Sequence, residues 1–220
     1  MMKDIAIYGA GGLGKEVACL IKTLNEANDG SEFNLIGFFD DNLLQGEAVS
    51  HYGTVLGNMN ELNSWKSPLA VAVAVGNPSA VKAITSKIKN PLVEFPNLIH
   101  PSLSLTDPET FIIGKGNIIK GQCEIAPDVK LGDFNCLIRD VVLGHDSTIG
   151  DFNVLMPNVY ICGEVKVGNQ NLFGIGSIVL QQLCVGNNVH VGAGSVLFTN
   201  PTDGCSYLGN PARKFLNRNQ

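Results

Sequence analysis

The sequence predicts a two-part fold: an α/β, half-Rossmann-like domain over residues 1–97, then a parallel β-helix of hexapeptide repeats over 98–220. Three observations carry that expectation. The first part alternates apolar strand-like runs with helical stretches. A glycine cluster, IAIYGAGGLGKEV (5–17), joins its first strand to its first helix. In the second part, one six-residue register stays apolar without a slip.

Taken in order, IAIYG (5–9) reads as a strand and Gly12 to Asn25 as a helix. NLIGFFDD (34–41) and LAVAVAVGN (69–77) read as the next strands, and Ser79 to Lys89 suits another helix. Strands alternating with helices mean a parallel sheet with helices packed on it. The stretch has room for about four strands, half of the doubly wound fold. Gly9, Gly11 and Gly14 fit G-x-G-x-x-G, the dinucleotide-binding spacing. Glycines at such a turn let backbone N–H groups approach phosphate, and the helix N-terminus favours negative charge. That physics serves any diphosphate. For a dinucleotide, Asp40 or Asp41 at the end of the second strand would take the ribose hydroxyls. The bland alternative is a tight turn with close helix–strand packing.

From residue 101 helical periodicity gives way to turn residues every few positions. Counting in sixes from Ile113 through Leu143 and Ile161 to Leu197, every member is apolar. Glycine often follows, as at Gly114, Gly132, Gly150 and Gly168, and compact residues such as Asn135, Ser147, Asn153 and Ser177 stand two positions before. This is the sequence form of a hexapeptide β-helix, three hexapeptides to a triangular coil. The apolar residue points inward, the compact one packs beside it, and glycine is expected to relieve the corner. Residues 113–202 then make about five coils.

Composition narrows the function classes. A formal net charge of −5 and a pI near 5.3 argue against nucleic acid or an anionic membrane as a partner. No signal segment opens the chain, and the longest apolar run, PLAVAVAVG (68–76), is too short to span a membrane. A cytoplasmic location is expected. Cys19, Cys123, Cys136, Cys162, Cys184 and Cys205 form no C-x-x-C pair and are expected as reduced core thiols. The four histidines are far apart, and no metal is expected.

The repeats end in YLGNPARKF (207–215), with a G-x-P-A-[KR] element at Gly209–Arg213. With GAGGLGKEV, NLIHPS (97–102) and LGHDSTIGDF (143–152) added, nearly the whole chain resembles a family of bacterial hexapeptide-repeat sugar acetyltransferases. That family includes nucleotide-aminosugar N-acetyltransferases and sialic acid O-acetyltransferases. The resemblance implies a left-handed β-helix, a homotrimer and acetyl-CoA as co-substrate. It makes His145 the general base, with Asp146 orienting it. An acyl transfer needs such a base, and imidazole titrates near working pH. The resemblance further implies that the Gly163 N–H meets the acetyl carbonyl, that Ile175 and Ala193 meet the pantetheine arm through backbone groups, and that Arg213 and Lys214 meet the coenzyme's phosphates. In the first domain it implies a nucleotide-sugar site: Gly9, Gly11, Gly12, Leu13, Gly14 and Lys15 around phosphate, Asp40 and Asp41 at the base, and Gly76 and Asn77 completing the pocket.

Two departures stand out. Val154 occupies the place of a second histidine often found after the base, and Leu13 that of a histidine in the glycine turn. His190 has no acidic neighbour and reads as structural or solvated. The expectation is therefore N-acetylation of an amino group on a nucleotide-linked deoxysugar in surface-glycan biosynthesis. O-acetylation of a sialic acid or related sugar uses the same base. A nucleotide-sugar-binding protein with a degenerate transferase site, or an NAD(P)-dependent enzyme, are the rivals from other classes.

Overall fold

A computed structural model of the chain describes residues 2–28 and 32–215. The chain divides into two compact units, Met1–Pro101 and Ser102–Gln220.

The first unit begins with β1 (Lys3–Tyr8), whose last four residues are buried, and α1 (Gly12–Ala27). Val17, Ala18, Ile21 and Leu24 recur at helical spacing and form the buried stripe of α1. Then come β2 (Phe33–Phe39), β3 (Val55–Gly57), α2 (Met59–Asn63), β4 (Leu69–Val73), α3 (Pro78–Lys87) and β5 (Val93–Glu94). The sheet has five parallel strands in the order β3-β2-β1-β4-β5. Every residue of β4 is buried, which explains its unbroken apolar run: a strand covered on both faces has no polar side to alternate with. The sequence expectation of about four strands missed one. Strands as short as β3 and β5 leave little periodicity to read. The strand order reverses beside β1, so β1 sits where the two directions of winding diverge.

In the second unit two-residue strands stack with an 18-residue repeat, as in Val142↔Tyr160 and Tyr160↔Ile178. One face carries six strands, from Ser104–Leu105 through Val142–Leu143 to Val196–Leu197. A second carries five, from Ile112–Ile113 to Cys184–Val185. The third ends in a hairpin, with Ser206–Gly209 parallel to His190–Val191 and antiparallel to Ala212–Phe215. The first face extends the expected five coils by one. Every member of the apolar register from Ile119 to Leu197 is buried, and only Ile113, at the start, is half-exposed.

The compact inward residues do more than fill space at one corner. Asn135, Asn153 and Asn171 are fully buried, and each Nδ2 donates to the Oδ1 of the asparagine one coil earlier at 2.9–3.2 Å. The same oxygen accepts the next asparagine's backbone N–H at 2.8–2.9 Å. The ladder satisfies buried amides that apolar side chains would leave unpaired.

The role expected of glycine is corrected. From Gly116 to Gly194, every sixth residue has φ between +52° and +69°, and these corner residues lie three positions after the apolar one. Most carry side chains, among them Asp128, Asp146 and Asn158. The glycines directly after the apolar residue serve close approach instead. A Cβ on Gly132 would meet Asp151 Oδ1 at 2.3 Å and the Gly150 carbonyl oxygen at 2.8 Å, atoms of the next coil.

Candidate active site

His145 and Asp146 lie on the corner between strands Val142–Leu143 and Thr148–Ile149. The turn is pinned on both sides. Asp146 N–H donates to the Pro127 carbonyl at 3.1 Å, and Glu164 N–H donates to the His145 carbonyl at 2.8 Å. Beneath it, buried Ser147 donates its hydroxyl to the Cys162 carbonyl at 3.0 Å. Asp146 takes the left-handed conformation at φ +58°, and its Oδ2 lies 2.7 Å from His145 Nδ1. Both side chains are 59% exposed. The carboxylate accepts from Nδ1–H, which leaves Nε2 as the free basic nitrogen.

Nε2 faces Gly163. A Cβ built on Gly163 would lie 2.6 Å from Nε2 and 2.8 Å from Cε1, so only glycine lets the imidazole rest against this stretch of the next coil. Among the described residues, the Gly163 N–H donates to no protein acceptor. A base and a free backbone donor thus share one corner. The N–H groups of Ile175 and Ala193, on another corner, are equally without a protein acceptor. At the third corner the corresponding donors are taken: Lys115, Asp133, Asp151 and Asn169 N–H donate to the Asp or Asn side chain one coil on, at 2.7–2.9 Å. Free donors are therefore a local feature, set by where the sequence lacks Asp or Asn.

Val154 is fully buried, so no polar group reaches solvent from the place of the second histidine. His190 is exposed on its strand. Among the described residues, the Arg213 guanidinium donates to the neighbouring Ala212 carbonyl, at 3.4 Å. A hydrogen bond with Cys205 pushes the Lys214 ammonium pKa up. Cys123 and Cys136 are buried, but Cys19 and Cys184 are exposed, so the expectation of core thiols holds for only part of the set. Among the described residues, no three His, Cys, Asp or Glu side chains converge as metal ligands.

In the first unit, the expected site residues gather beyond the C-terminal ends of neighbouring strands β1, β2 and β4. Gly9 has φ +106° and a Cβ there would meet the Ala74 carbonyl oxygen at 2.7 Å. Gly14 packs so closely that its Cβ would collide with the Gly9 carbonyl oxygen. Gly11, Gly12 and Gly76 have open space around them. Helix α1 has Gly11 as its N-cap, with no side-chain cap and no acidic residue in its first turn, which leaves N–H donors available to an anion. Lys15 is exposed within that turn, with its N–H donating to the Gly11 carbonyl.

The acidic pair splits its duties. Asp40 accepts from Ala10 N–H and Asn42 N–H, both at 2.9 Å, and so ties the glycine turn to the end of β2. Asp41 accepts from Met59 N–H at 3.1 Å through one oxygen. Asn77 caps α3, its Oδ1 accepting from Ala80 N–H at 3.1 Å. Sequence reasoning passed over Tyr8. It is buried at the end of β1; among the described residues its hydroxyl meets no partner at hydrogen-bonding geometry, and burial, then the approach of the Asp41 carboxylate, then the charge on Asp40, push its pKa well up.

The PglD N-terminal domain family matches residues 4–88. A search of curated protein sequences returns no match. Among solved structures, the chain is similar to the acetyltransferase domain of PglB from Neisseria gonorrhoeae FA1090 in complex with acetyl coenzyme A. The identity is 31% and the TM-score 0.85, over 98% of this chain and 100% of that one. WeeI from Acinetobacter baumannii AYE is 24% identical with TM-score 0.84, over 98% and 100%. PerB from Caulobacter crescentus, in complex with CoA and GDP-perosamine, is 24% identical with TM-score 0.82, over 96% and 97%. The last two likenesses establish the shared fold.

Proposed function

The chain belongs to the left-handed β-helix sugar acetyltransferases and is an acyltransferase, and from that premise we propose that it N-acetylates an amino group on a nucleotide-linked deoxysugar with acetyl-CoA. The observation that carries the reading is the corner at His145, where a carboxylate-oriented imidazole and an unpaired backbone N–H stand together. The N–H groups of Gly163, Ile175 and Ala193, none donating to an acceptor among the described residues, suit a ligand rich in amide and thioester carbonyls.

Acetyl-CoA supplies an activated acyl carbon. His145 Nε2 takes the proton that the acceptor nitrogen loses as it bonds to that carbon. The Asp146 carboxylate holds the ring by Nδ1 and stabilises the imidazolium that forms. The Gly163 N–H donates to the oxygen that gains negative charge. The proton then passes from His145 to the departing thiolate, so the base is regenerated. Arg213 and Lys214 are assigned to the coenzyme's phosphates. The acceptor's nucleotide is assigned to the first unit: the Gly9–Lys15 turn at its phosphates, Asp41 rather than the doubly engaged Asp40 at its base, and Gly76–Asn77 at the edge.

Self-association as a homotrimer is part of this reading. The strand face bordering the His145 corner exposes Tyr160, and Ile175 and Phe198 project beside it, each about half exposed. The face with Lys130, Thr148 and Lys166 is polar. A cytoplasmic location follows from the co-substrate. No described helix is long and apolar enough to cross a membrane.

The test is thiol release from acetyl-CoA against a panel of UDP-, GDP- and dTDP-linked amino-deoxysugars and free sialic acids. Release with an amino sugar nucleotide, lost by a factor of about 100 or more in His145→Asn, is expected. Release with sialic acids alone would make the enzyme an O-acetyltransferase. Near wild-type turnover in His145→Asn would remove His145 from the chemistry.

A further inference from the structure

Tyr8 carries a hydroxyl that the packing around it does not use. It ends β1, the central strand of the first sheet, and is only 3% exposed. Its fellows on the strand, Ile5, Ala6 and Ile7, are apolar and fully buried. Phenylalanine would fill the same space and leave no polar atom to satisfy. A buried tyrosine hydroxyl ordinarily finds a partner. Among the described residues, this one meets none at hydrogen-bonding geometry.

Its surroundings are nevertheless charged. A Cβ on Gly14 would approach Ile7 Cγ2 at 3.7 Å, so Ile7 faces α1, and alternation along the strand turns Tyr8 to the opposite face of the sheet. There Tyr8 stands in register with Phe39 of β2, which the chain leaves through Asp40 and Asp41. Burial, the approach of Asp41 and the charge on Asp40 all raise the pKa of the phenol, so it remains a proton donor.

The two carboxylates differ in what they have left to accept. Asp40 is held through both oxygens, Oδ2 by Ala10 N–H and Oδ1 by Asn42 N–H. Asp41 is exposed and held through one, with Met59 N–H donating to Oδ1 at 3.1 Å. A carboxylate tied by a single oxygen pivots about that bond; one tied by two does not. The carboxylate that pivots is the one that the buried hydroxyl approaches.

We propose that Tyr8 is a positioning residue of the nucleotide site, its O–H donating to Asp41 Oδ2 and fixing that carboxylate where it accepts N–H groups from a nucleobase edge. A carboxylate offers about four acceptor sites, so donors from Met59 and Tyr8 leave room for the base. The hydroxyl is itself out of a ligand's reach and acts only through Asp41. The inference rests on the assignment of Asp41 to the base and adds to it the group that holds Asp41 in place.

The experiment is a double-mutant cycle on the full-length protein: wild type, Tyr8→Phe, Asp41→Asn and the double variant. Calorimetric titration with UDP, GDP and dTDP gives affinity for the nucleotide that wild type binds best. Melting curves give stability, and thiol release gives kcat and KM for both substrates. Affinity is expected to fall at least fivefold in Tyr8→Phe and at least tenfold in Asp41→Asn. In the Asp41→Asn background, removing the hydroxyl should cost less than twofold. KM for the nucleotide sugar should rise as affinity falls, with kcat and KM for acetyl-CoA within twofold of wild type. Tyr8→Phe should melt at or above the wild-type temperature, because it removes an unpaired buried group.

Nucleotide affinity within twofold of wild type in Tyr8→Phe overturns the proposal. So does a full Tyr8→Phe effect persisting without the Asp41 carboxylate, since the hydroxyl would then act on the ligand directly. Lowered melting or failure to fold in Tyr8→Phe overturns it too, by showing that the hydroxyl serves the fold. If wild type binds none of the three diphosphates, the assignment of Asp41 to a nucleobase falls, a result distinct from these.

Discussion

Replacing Gly163 with alanine separates catalysis from folding. The added carbon would stand 2.6 Å from His145 Nε2, 2.8 Å from Cε1 and 3.0 Å from Cδ2. Non-bonded carbon and nitrogen settle at about 3.5 Å or more, so the ring must withdraw by about 1 Å. Its partner on the far side, Asp146 Oδ2 at 2.7 Å from Nδ1, belongs to a residue whose backbone is fixed from the neighbouring coil. The ring therefore tilts away from the Gly163 N–H. A misplacement of about 1 Å between catalytic groups costs roughly 100-fold in turnover, or about 2.7 kcal/mol of barrier. Stability should not follow. Gly163 has no left-handed φ, and alanine reduces the freedom of the unfolded chain, a gain of up to about 1 kcal/mol. Thiol release with the acceptor found in the panel gives the turnover, and a denaturant titration gives the stability. Turnover within threefold of wild type would refute the placement of the imidazole against Gly163. A large loss of stability alongside lost turnover would refute the claim that the site, not the fold, is what the glycine protects.

Three further outcomes follow from other parts of the molecule. Asp146→Asn keeps the left-handed corner, which asparagine tolerates, but its amide donates to Nδ1 and so moves the ring proton to Nε2; kcat should fall by about 100-fold or more with KM nearly unchanged. A loss under twofold would show that the carboxylate merely neighbours the histidine. Asn153→Ala breaks the buried ladder at a residue whose Oδ1 accepts two donors and whose Nδ2 meets Asn135 and the Gly168 carbonyl. About 3 kcal/mol of unfolding free energy should be lost, and a shift below about 1 kcal/mol would contradict the ladder's role. Burial pushes the Cys123 and Cys162 thiols up, which lowers their thiolate fraction at a given pH. Iodoacetamide at pH 8, read by peptide mass spectrometry, should modify exposed Cys19 and Cys184 first and Cys123 only upon unfolding. Early modification of Cys123 would be inconsistent with this packing.

Some of these features were open to the one-dimensional reading and others were not. The apolar register from Ile119 to Leu197 was legible because each coil buries the same kind of side chain at the same interval. Repetition along the chain maps directly onto stacking in space. The pairing of His145 with Asp146 was legible too, since the residues are adjacent. Glycine was misread in the repeats because two requirements call for the same residue. A left-handed corner favours it through φ, while close packing of coils demands it through missing volume, and only coordinates tell Gly176 from Gly132. In the glycine turn, spacing alone suggested one role for three glycines, but Gly9 and Gly14 are held by contact with backbone and Gly11 is not.

What the sequence determined by itself is what depends on local order: the two-part architecture, the six-residue period, the strand–glycine–helix turn and the histidine–carboxylate pair. Tertiary structure decided which groups far apart in the chain meet, 18 residues apart in the coils and 30 apart between Ala10 and Asp40. It set the asparagine ladder, the rest of the imidazole against Gly163, the engagement of Asp40 with Ala10, and the corners whose N–H groups stay unpaired. The physical reason is that hydrogen bonding and steric exclusion act through distance in space. In a coil that returns to itself every 18 residues, many of the neighbours that fix a side chain's role stand a full coil away in sequence.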